Sequence, residues 1–265
     1  MIAHLPPDTG VVVYPESDGL PMAENTLQYQ WIVTIQGNLD LQFANDPKVF
    51  VAGDNFIYPK KGDASIVYAP DIYVAFGRPK GHRGSYRVWE EGHIFPQVIF
   101  EVLSPSNTVS QMNKKRQFYR RWGAEEYYVI DPYEGWVEVW IREGKRFIEV
   151  VKVEGFVSPR LGIRFVKTDL ELEVFGHSGR FLSFVELGQR AESESKRADK
   201  ERKSADKERK LAENERKRAE KERERAEKEH ERAEKEHERA DREATSRQKL
   251  ADKLRELGID PDKVG

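Results

Sequence analysis

The composition of the chain changes abruptly near Gln189, and this break limits where a core can be built. From Gln189 to the end more than half of the residues are charged, and this stretch holds roughly half of all the charges in the protein. Within it, Ala191, Ala198, Ala205, Ala212, Ala219, Ala226, Ala233 and Ala240 recur at a strict seven-residue spacing. A coiled coil needs a second apolar position in each heptad. Three residues before successive alanines stand Arg202, Arg209, Arg216, Arg223, His230 and His237 instead. One alanine per heptad buries little, while Glu and Lys or Arg lie three or four residues apart, the spacing that supports an isolated helix. The pattern favours a solvated charged helix over 189–248, roughly 60 residues and about 90 Å long, with a weak alanine-seam coiled coil as its rival. The short C-terminal segment 249–265 carries an apolar stripe of Leu250, Leu254 and Leu257, suited to docking or to pairing with another copy.

The core must therefore come from the first 188 or so residues. Charged residues make up 35% of the whole chain, against about 25% in an ordinary globular domain, and the tail accounts for the excess. The remainder is rich in Trp, Tyr, Phe, Val and Ile and can bury a core of its own. The formal net charge of −2 argues against a protein that coats nucleic acid indiscriminately, though not against a local basic groove. The absence of cysteine excludes disulfides, thiolate nucleophiles and cysteine-based zinc sites. The N-terminus, MIAHLPPDTG, has neither the basic nor the apolar region of a secretory signal, and no run approaches the ~18 apolar residues of a membrane span. A soluble cytoplasmic protein is the expectation.

Residues 1–21, with Pro6, Pro7, Pro15 and Pro21, read as an extended lead-in. Residues 22–43 read as a helix, because Leu27, Trp31, Ile35 and Leu39 recur every four positions beside Ile32 and Val33. Strands are expected over Val49–Tyr58, Asp71–Phe76 and Gln97–Leu103, each rich in β-formers and bounded by turn residues. A helix over 110–122 ends at Gly123, a natural residue for the position after a helix. Glu126–Ile130 reads as a buried strand, and Trp136–Ile141 with Arg146–Val153 as an antiparallel pair turning at Glu143-Gly144. Shorter strands near Ile163–Val166 and Glu171–Phe175 are expected to finish the sheet. This order predicts an α/β or α+β sandwich with a mixed sheet over 22–188 rather than a regular βαβ array.

Three residues in this region break the pattern. Glu101 lies inside the apolar run Val98-Ile99-Phe100-Glu101-Val102-Leu103, on the face of Ile99 and Leu103. A buried carboxylate is costly unless it is paired or holds a cation; the alternative is an edge strand whose Glu reaches solvent. Asp71 opens a strand directly after Pro70, which alone fits a turn residue equally well. Lys115 shares a helical stripe with Met112, Tyr119 and Trp122, so it is the charged member of the packed face, unless its stem alone is buried and its amine reaches out. Together the three fit phosphodiester cleavage. Two carboxylates from adjacent strands can hold Mg²⁺ (or Mn²⁺), with the Val102 carbonyl as a further ligand, and a lysine can orient water or offset charge in the transition state. Glu24 and Asp54 are candidate accessory acids, each otherwise a cap or turn residue. The loop that carries Arg78, Lys80, Arg83 and Arg87, together with Lys114, is a candidate phosphate-contacting surface or simply a solvated one. No histidine shows metal-ligand spacing, and no phosphate-binding or nucleophile-elbow motif is present.

The series Pro70-Asp71, then FEVLSPSN at 100–107, then Lys115-x-x-x-Tyr119, then G-x-x-E-Y-Y-x-x-D-P at 123–132 resembles the Uma family of restriction-endonuclease-like proteins (DUF820-like). That family is a branch of the PD-(D/E)XK nuclease superfamily, and the resemblance covers roughly residues 22–185. It implies a mixed β-sheet flanked by helices, Mg²⁺ dependence and DNA as substrate, with Asp71 and Glu101 at the metal-binding acids. The usual motif places a lysine two residues after the second acid, where this chain has Leu103; members of this branch carry it on the following helix, where Lys115 matches. Glu24 is similar to an extra acid that some superfamily members supply from an N-terminal helix. The resemblance also leaves room for a homo-oligomer formed through the core or the C-terminal helix, and for an inactive nuclease fold that binds nucleic acid or a protein through its charged tail.

Overall fold

A computed structural model describes residues 12–19, 23–169 and 171–258. Much of the N-terminal lead-in, including Pro6, Pro7 and Pro21, and the final IDPDKVG lie outside the described residues. The chain divides into two compact units, Met1–Arg190 and Ala191–Gly265.

The first unit is built on a six-stranded mixed sheet with strand order β1-β3-β5-β6-β7-β8. Its strands are β1 (Val49–Ala52), β3 (Ile72–Phe76), β5 (Val98–Val102), β6 (Glu126–Asp131), β7 (Trp136–Glu143) and β8 (Arg146–Glu149). All neighbours are antiparallel except β5 and β6. A parallel pair needs a crossover, and helix α2 (Val109–Trp122) supplies it. The sheet has a core layer on each face. On one side Ile32, Ile35 and Leu39 of helix α1 (Thr26–Gln42) pack against Val51, Ile72, Val74, Phe100 and Val102. On the other, Tyr119 of α2, with Met112, Phe118 and Trp122 partly buried beside it, packs against Tyr73, Ile99, Tyr127 and Val129. β5 is buried along its whole length.

Three expectations change. The apolar run 49–58 is two strands rather than one. β1 ends at Ala52, and β2 (Ile57–Tyr58) leaves the main sheet to pair in parallel with β4 (Tyr86–Arg87). The break has a steric cause. A Cβ at Gly53 would overlap the carbonyl oxygen of Asp71, and Asp54 takes a left-handed conformation, φ 55°. The late strands β9 (Arg164–Lys167) and β10 (Leu172–Gly176) do not finish the main sheet. With β11 (Gly179–Arg180) they form a separate three-stranded sheet, whose Phe165, Leu172 and Val174 close the α1-side layer. Finally, α1 starts at Thr26, capped by the Asn25 side chain, which accepts from Gln28 N, so Glu24 precedes the helix.

Helix α3 (Phe184–Glu256) starts earlier and ends later than the 189–248 expected from the repeat. In the second unit its residues are exposed almost throughout. Ion pairs at i,i+4 line it, among them Glu192–Lys196 at 2.6 Å, Glu213–Lys217 at 2.8 Å and Glu231–Lys235 at 2.6 Å. Each such pair adds only about 0.3–0.5 kcal/mol. Leu250 and Leu257 are exposed. Among the described residues no helix is long and apolar enough to cross a membrane.

Gly53→Ala tests the strand break. The added methyl has to displace the backbone that carries Asp71, so equilibrium urea denaturation is expected to show a loss of about 2 kcal/mol or more. An unchanged midpoint would mean that the close approach is not a constraint.

Candidate active site

The site follows from strand register. β3 and β5 pair Ile72 with Phe100, and one step further out Asp71 stands opposite Glu101. β1 ends at Ala52, paired with Tyr73, and beyond the break Asp54 lies near enough to Asp71 for its charge to raise the Asp71 carboxyl. Directly opposed residues of antiparallel strands point to the same face. Three acids from three neighbouring strands thus come to one end of the sheet, on the side covered by α2. The backbone slips by one residue at the break, where Asp54 N donates to Pro70 O at 3.1 Å.

Each carboxylate is held differently. Asp71 Oδ2 accepts from the Val102 backbone N–H at 2.6 Å, taking a donor that a longer β3 would have used. Glu101 is 2% exposed. Its Oε2 accepts from Lys115 Nζ at 2.6 Å and its Oε1 from the Tyr119 hydroxyl at 2.9 Å. Lys115 and Tyr119 stand one helical turn apart on α2, which is fixed at its start by a capping box between Thr108 and Gln111 and at its end by Gly123 at φ 121°. The helical stripe containing Lys115 therefore delivers its amine inward, onto the one acid of the buried strand. The edge-strand alternative for Glu101 does not hold, since β5 lies between β3 and β6.

Burial and mutual repulsion set the electrostatics. Desolvation, reinforced by the charge of Glu101, pushes the Asp71 carboxyl up to about 7. Desolvation also raises Glu101, against the pull of Lys115 and Tyr119. Asp54 is raised by burial and then by Asp18, with Lys115 opposing. For Lys115, burial alone would lower the amine, but Glu101 and Asp71 outweigh it and hold it above its usual value, so it remains a cation. Burial lifts the Tyr119 hydroxyl well above its usual value, which keeps it a donor.

The donors are all hard oxygens, the set that suits Mg²⁺ or Mn²⁺. Among the described residues no group of three or more His, Asp or Glu side chains is spaced to hold an ion. Magnesium, however, needs only one or two carboxylates and keeps several waters. Asp71 and Glu101 are such a pair, and the elevation of Asp71 reflects first its burial and then the neighbouring charge of Glu101. These residues fit a divalent cation.

The Val102 carbonyl also accepts from Gln28 Nε2 at 2.9 Å, while Gln28 Oε1 accepts from Glu24 N at 2.9 Å. Gln28 was not singled out from the sequence. Its signal was present, since Gln28, Ile32, Ile35 and Leu39 form a stripe that is buried throughout, whereas Leu27 and Trp31 flank it. Glu24 lies apart from the acid cluster in its contacts. It accepts from the Ser106 hydroxyl, which, with a weaker effect of Ser104, holds its carboxyl below the usual range.

The basic loop is largely neutralised from within. Arg78 and Arg83 both turn onto Glu91, at 2.9 Å and 2.6 Å, and Arg83 also lies over the Phe50 ring. Lys80 pairs with Asp40 at 2.9 Å. Arg87 bonds Ser85 and Glu90 and lies over Tyr14. Lys114 alone of the five projects freely from α2.

A family model whose description reads "Uma2: Putative restriction endonuclease" matches residues 23–168. This chain belongs to that family. The Uma2 match spans the main sheet, both flanking helices and the three acids. Among solved structures, the crystal structure titled as a putative nuclease belonging to DUF820, from Anabaena variabilis, is similar, with 14% identity and a TM-score of 0.39 over 51% of this chain and 72% of that one. No curated protein matches the chain.

The Asp71 elevation has a signed consequence. Its folded value of about 7 exceeds the ordinary 3.8 of an aspartate, so its contribution to stability is complete below about 4 and is lost as pH rises through about 7. In metal-free buffer, Asp71→Asn is expected to match the wild type near pH 4 and to be more stable by ~1 kcal/mol or more at pH 8. Urea midpoints across the pH range measure this. A stability difference that fails to grow with pH would refute the assignment.

Proposed function

We propose that this protein hydrolyses phosphodiester bonds in DNA as a Mg²⁺-dependent endonuclease. The observation that carries the reading is the convergence of Asp71 and Glu101 from paired strands onto Lys115, within a domain of the Uma2 family. Asp71, Glu101 and the Val102 carbonyl are the residues that would hold the metal. When bound, that ion supplies a Lewis acid for the phosphate and an acidified water.

The chain's own groups have separable tasks. The Val102 N–H holds the Asp71 carboxylate against the end of β5. Tyr119 fixes one oxygen of Glu101 and so presents the other to Lys115. Lys115, held protonated by two carboxylates, provides a positive charge close to where a scissile phosphate would sit, and offsets negative charge as the bond to the leaving oxygen breaks. Gln28 holds the Val102 carbonyl from the opposite face of the sheet, which ties the exit of β5 to α1.

A second reading has its own support. Both Glu101 oxygens and the Val102 carbonyl already have protein donors. Such a self-satisfied cluster also suits a nuclease fold that binds nucleic acid without cutting it.

Supercoiled plasmid and single-stranded DNA incubated with the purified full chain and Mg²⁺ or Mn²⁺ separate the two. Cleavage is expected, with losses of about 100-fold or more in Asp71→Asn, Glu101→Gln and Lys115→Ala. Tyr119→Phe is expected to lose less, about 3- to 10-fold, and to require more metal for half-maximal rate. Binding without cleavage under every divalent metal would establish the second reading, and cleavage untouched by the acid variants would place the active site elsewhere.

A further inference from the structure

Helix α2 carries five cations (Lys114, Lys115, Arg116, Arg120 and Arg121) and no acid in 14 residues, in a chain whose net charge is −2. Only Lys115 is committed to the acid cluster. Arg116 lies over the Trp140 ring, 4.0 Å from its centroid. Lys114, Arg120 and Arg121 are exposed, and among the described residues none of them engages a carboxylate. Lys114, Gln117 and Arg121 recur at i, i+3 and i+7, so they share the outer face of the helix.

Helix stability does not account for this pattern. Arg120 and Arg121 in the last turn complement the helix dipole, but the first turn carries no acid to match them, and Lys114 lies mid-helix. Where this chain has a helix that only needs to remain solvated, it alternates signs, as the i,i+4 pairs of α3 show. Of the arginines in the 78–87 loop, by contrast, Arg78 and Arg83 share Glu91 and Arg87 pairs with Glu90. Exposed cations without a carboxylate partner therefore stand on the helix that delivers Lys115 to the acids.

We infer that the outer face of α2, with Lys114 and Arg121 as its principal contacts and Arg120 beside them, seats the phosphodiester backbone of the DNA. Seven residues of helix span about 10 Å, close to three axial steps of about 3.4 Å along one strand. The contact is to charge rather than to base edges, so it positions the backbone without selecting a sequence. The inference deepens the nuclease reading, since adjacent residues, Lys114 outward and Lys115 inward, would place backbone and scissile phosphate on one rigid element.

Fluorescence anisotropy of a short labelled duplex of mixed sequence, titrated with the full chain in EDTA over a series of salt concentrations, tests it without cleavage. Each lost phosphate contact removes about 0.9 from the slope of log K against log salt. Lys114→Gln/Arg121→Gln is expected to lower the magnitude of the slope by about 1.8 and to weaken binding. Lys114→Arg/Arg121→Lys is expected to retain both slope and affinity, and Lys203→Gln/Lys210→Gln on α3 to leave them unchanged. An unaltered slope in the first variant, an equal loss in the α3 variant, or no binding by the wild type would each overturn the inference. Circular dichroism melting confirms that the exposed Gln substitutions fold. Binding that depends on α2 without cleavage would sink the nuclease reading alone, and cleavage with binding indifferent to α2 would sink this inference alone.

Discussion

The central strand β5 places a carboxylate where the surrounding layer is aromatic and aliphatic, and the burial of Glu101 has to be compensated. A buried charge left alone costs several kcal/mol, so helix α2 must present a cation and a hydroxyl donor at one exact height above the sheet. Lys115 and Tyr119 meet that demand because they are one turn apart. The same requirement explains why the crossover between the parallel pair β5 and β6 is a helix with both ends firmly defined. A frayed start or a slipped end would move the amine away from its partner.

The acids are assembled by register rather than by sequence proximity. Asp71 and Glu101 are 30 residues apart in sequence, yet antiparallel pairing of β3 and β5 aligns them, and the turn after β1 brings Asp54 beside them. Gly53 makes this possible, since no larger residue fits against the Asp71 carbonyl. The outcome is a buried sheet end where desolvation, and then the charge of Glu101, raise Asp71.

The elements that could be read from the sequence were those with strong local patterns. Glu101 was conspicuous within five apolar neighbours, Lys115 was marked by the Met112–Tyr119–Trp122 stripe, and Gly123 ended α2 as expected. Asp71 owed its place to the family resemblance, because a proline followed by an acid says little by itself. What could not be read depended on distant partners. The run 49–58 has the composition of one strand, and only the approach of the Asp71 backbone to Gly53 divides it. Arg78 and Arg83 looked available because their partner Glu91 comes from a later turn. Gln28 was passed over for Leu27 and Trp31, although its polar group is the one that reaches β5. The strands β9 and β10 have ordinary strand composition, and nothing local says which sheet they join.

The lysine stands on α2, while Leu103 fills the position two residues after Glu101. On a strand, acid and cation would arrive together as soon as the ladder zipped up. Here the cation comes from a different layer, and it is the packing of α2 that brings the ammonium to Glu101. The seating of α2 on the sheet and the charge balance of the sheet are thus one and the same contact, Lys115 to Glu101.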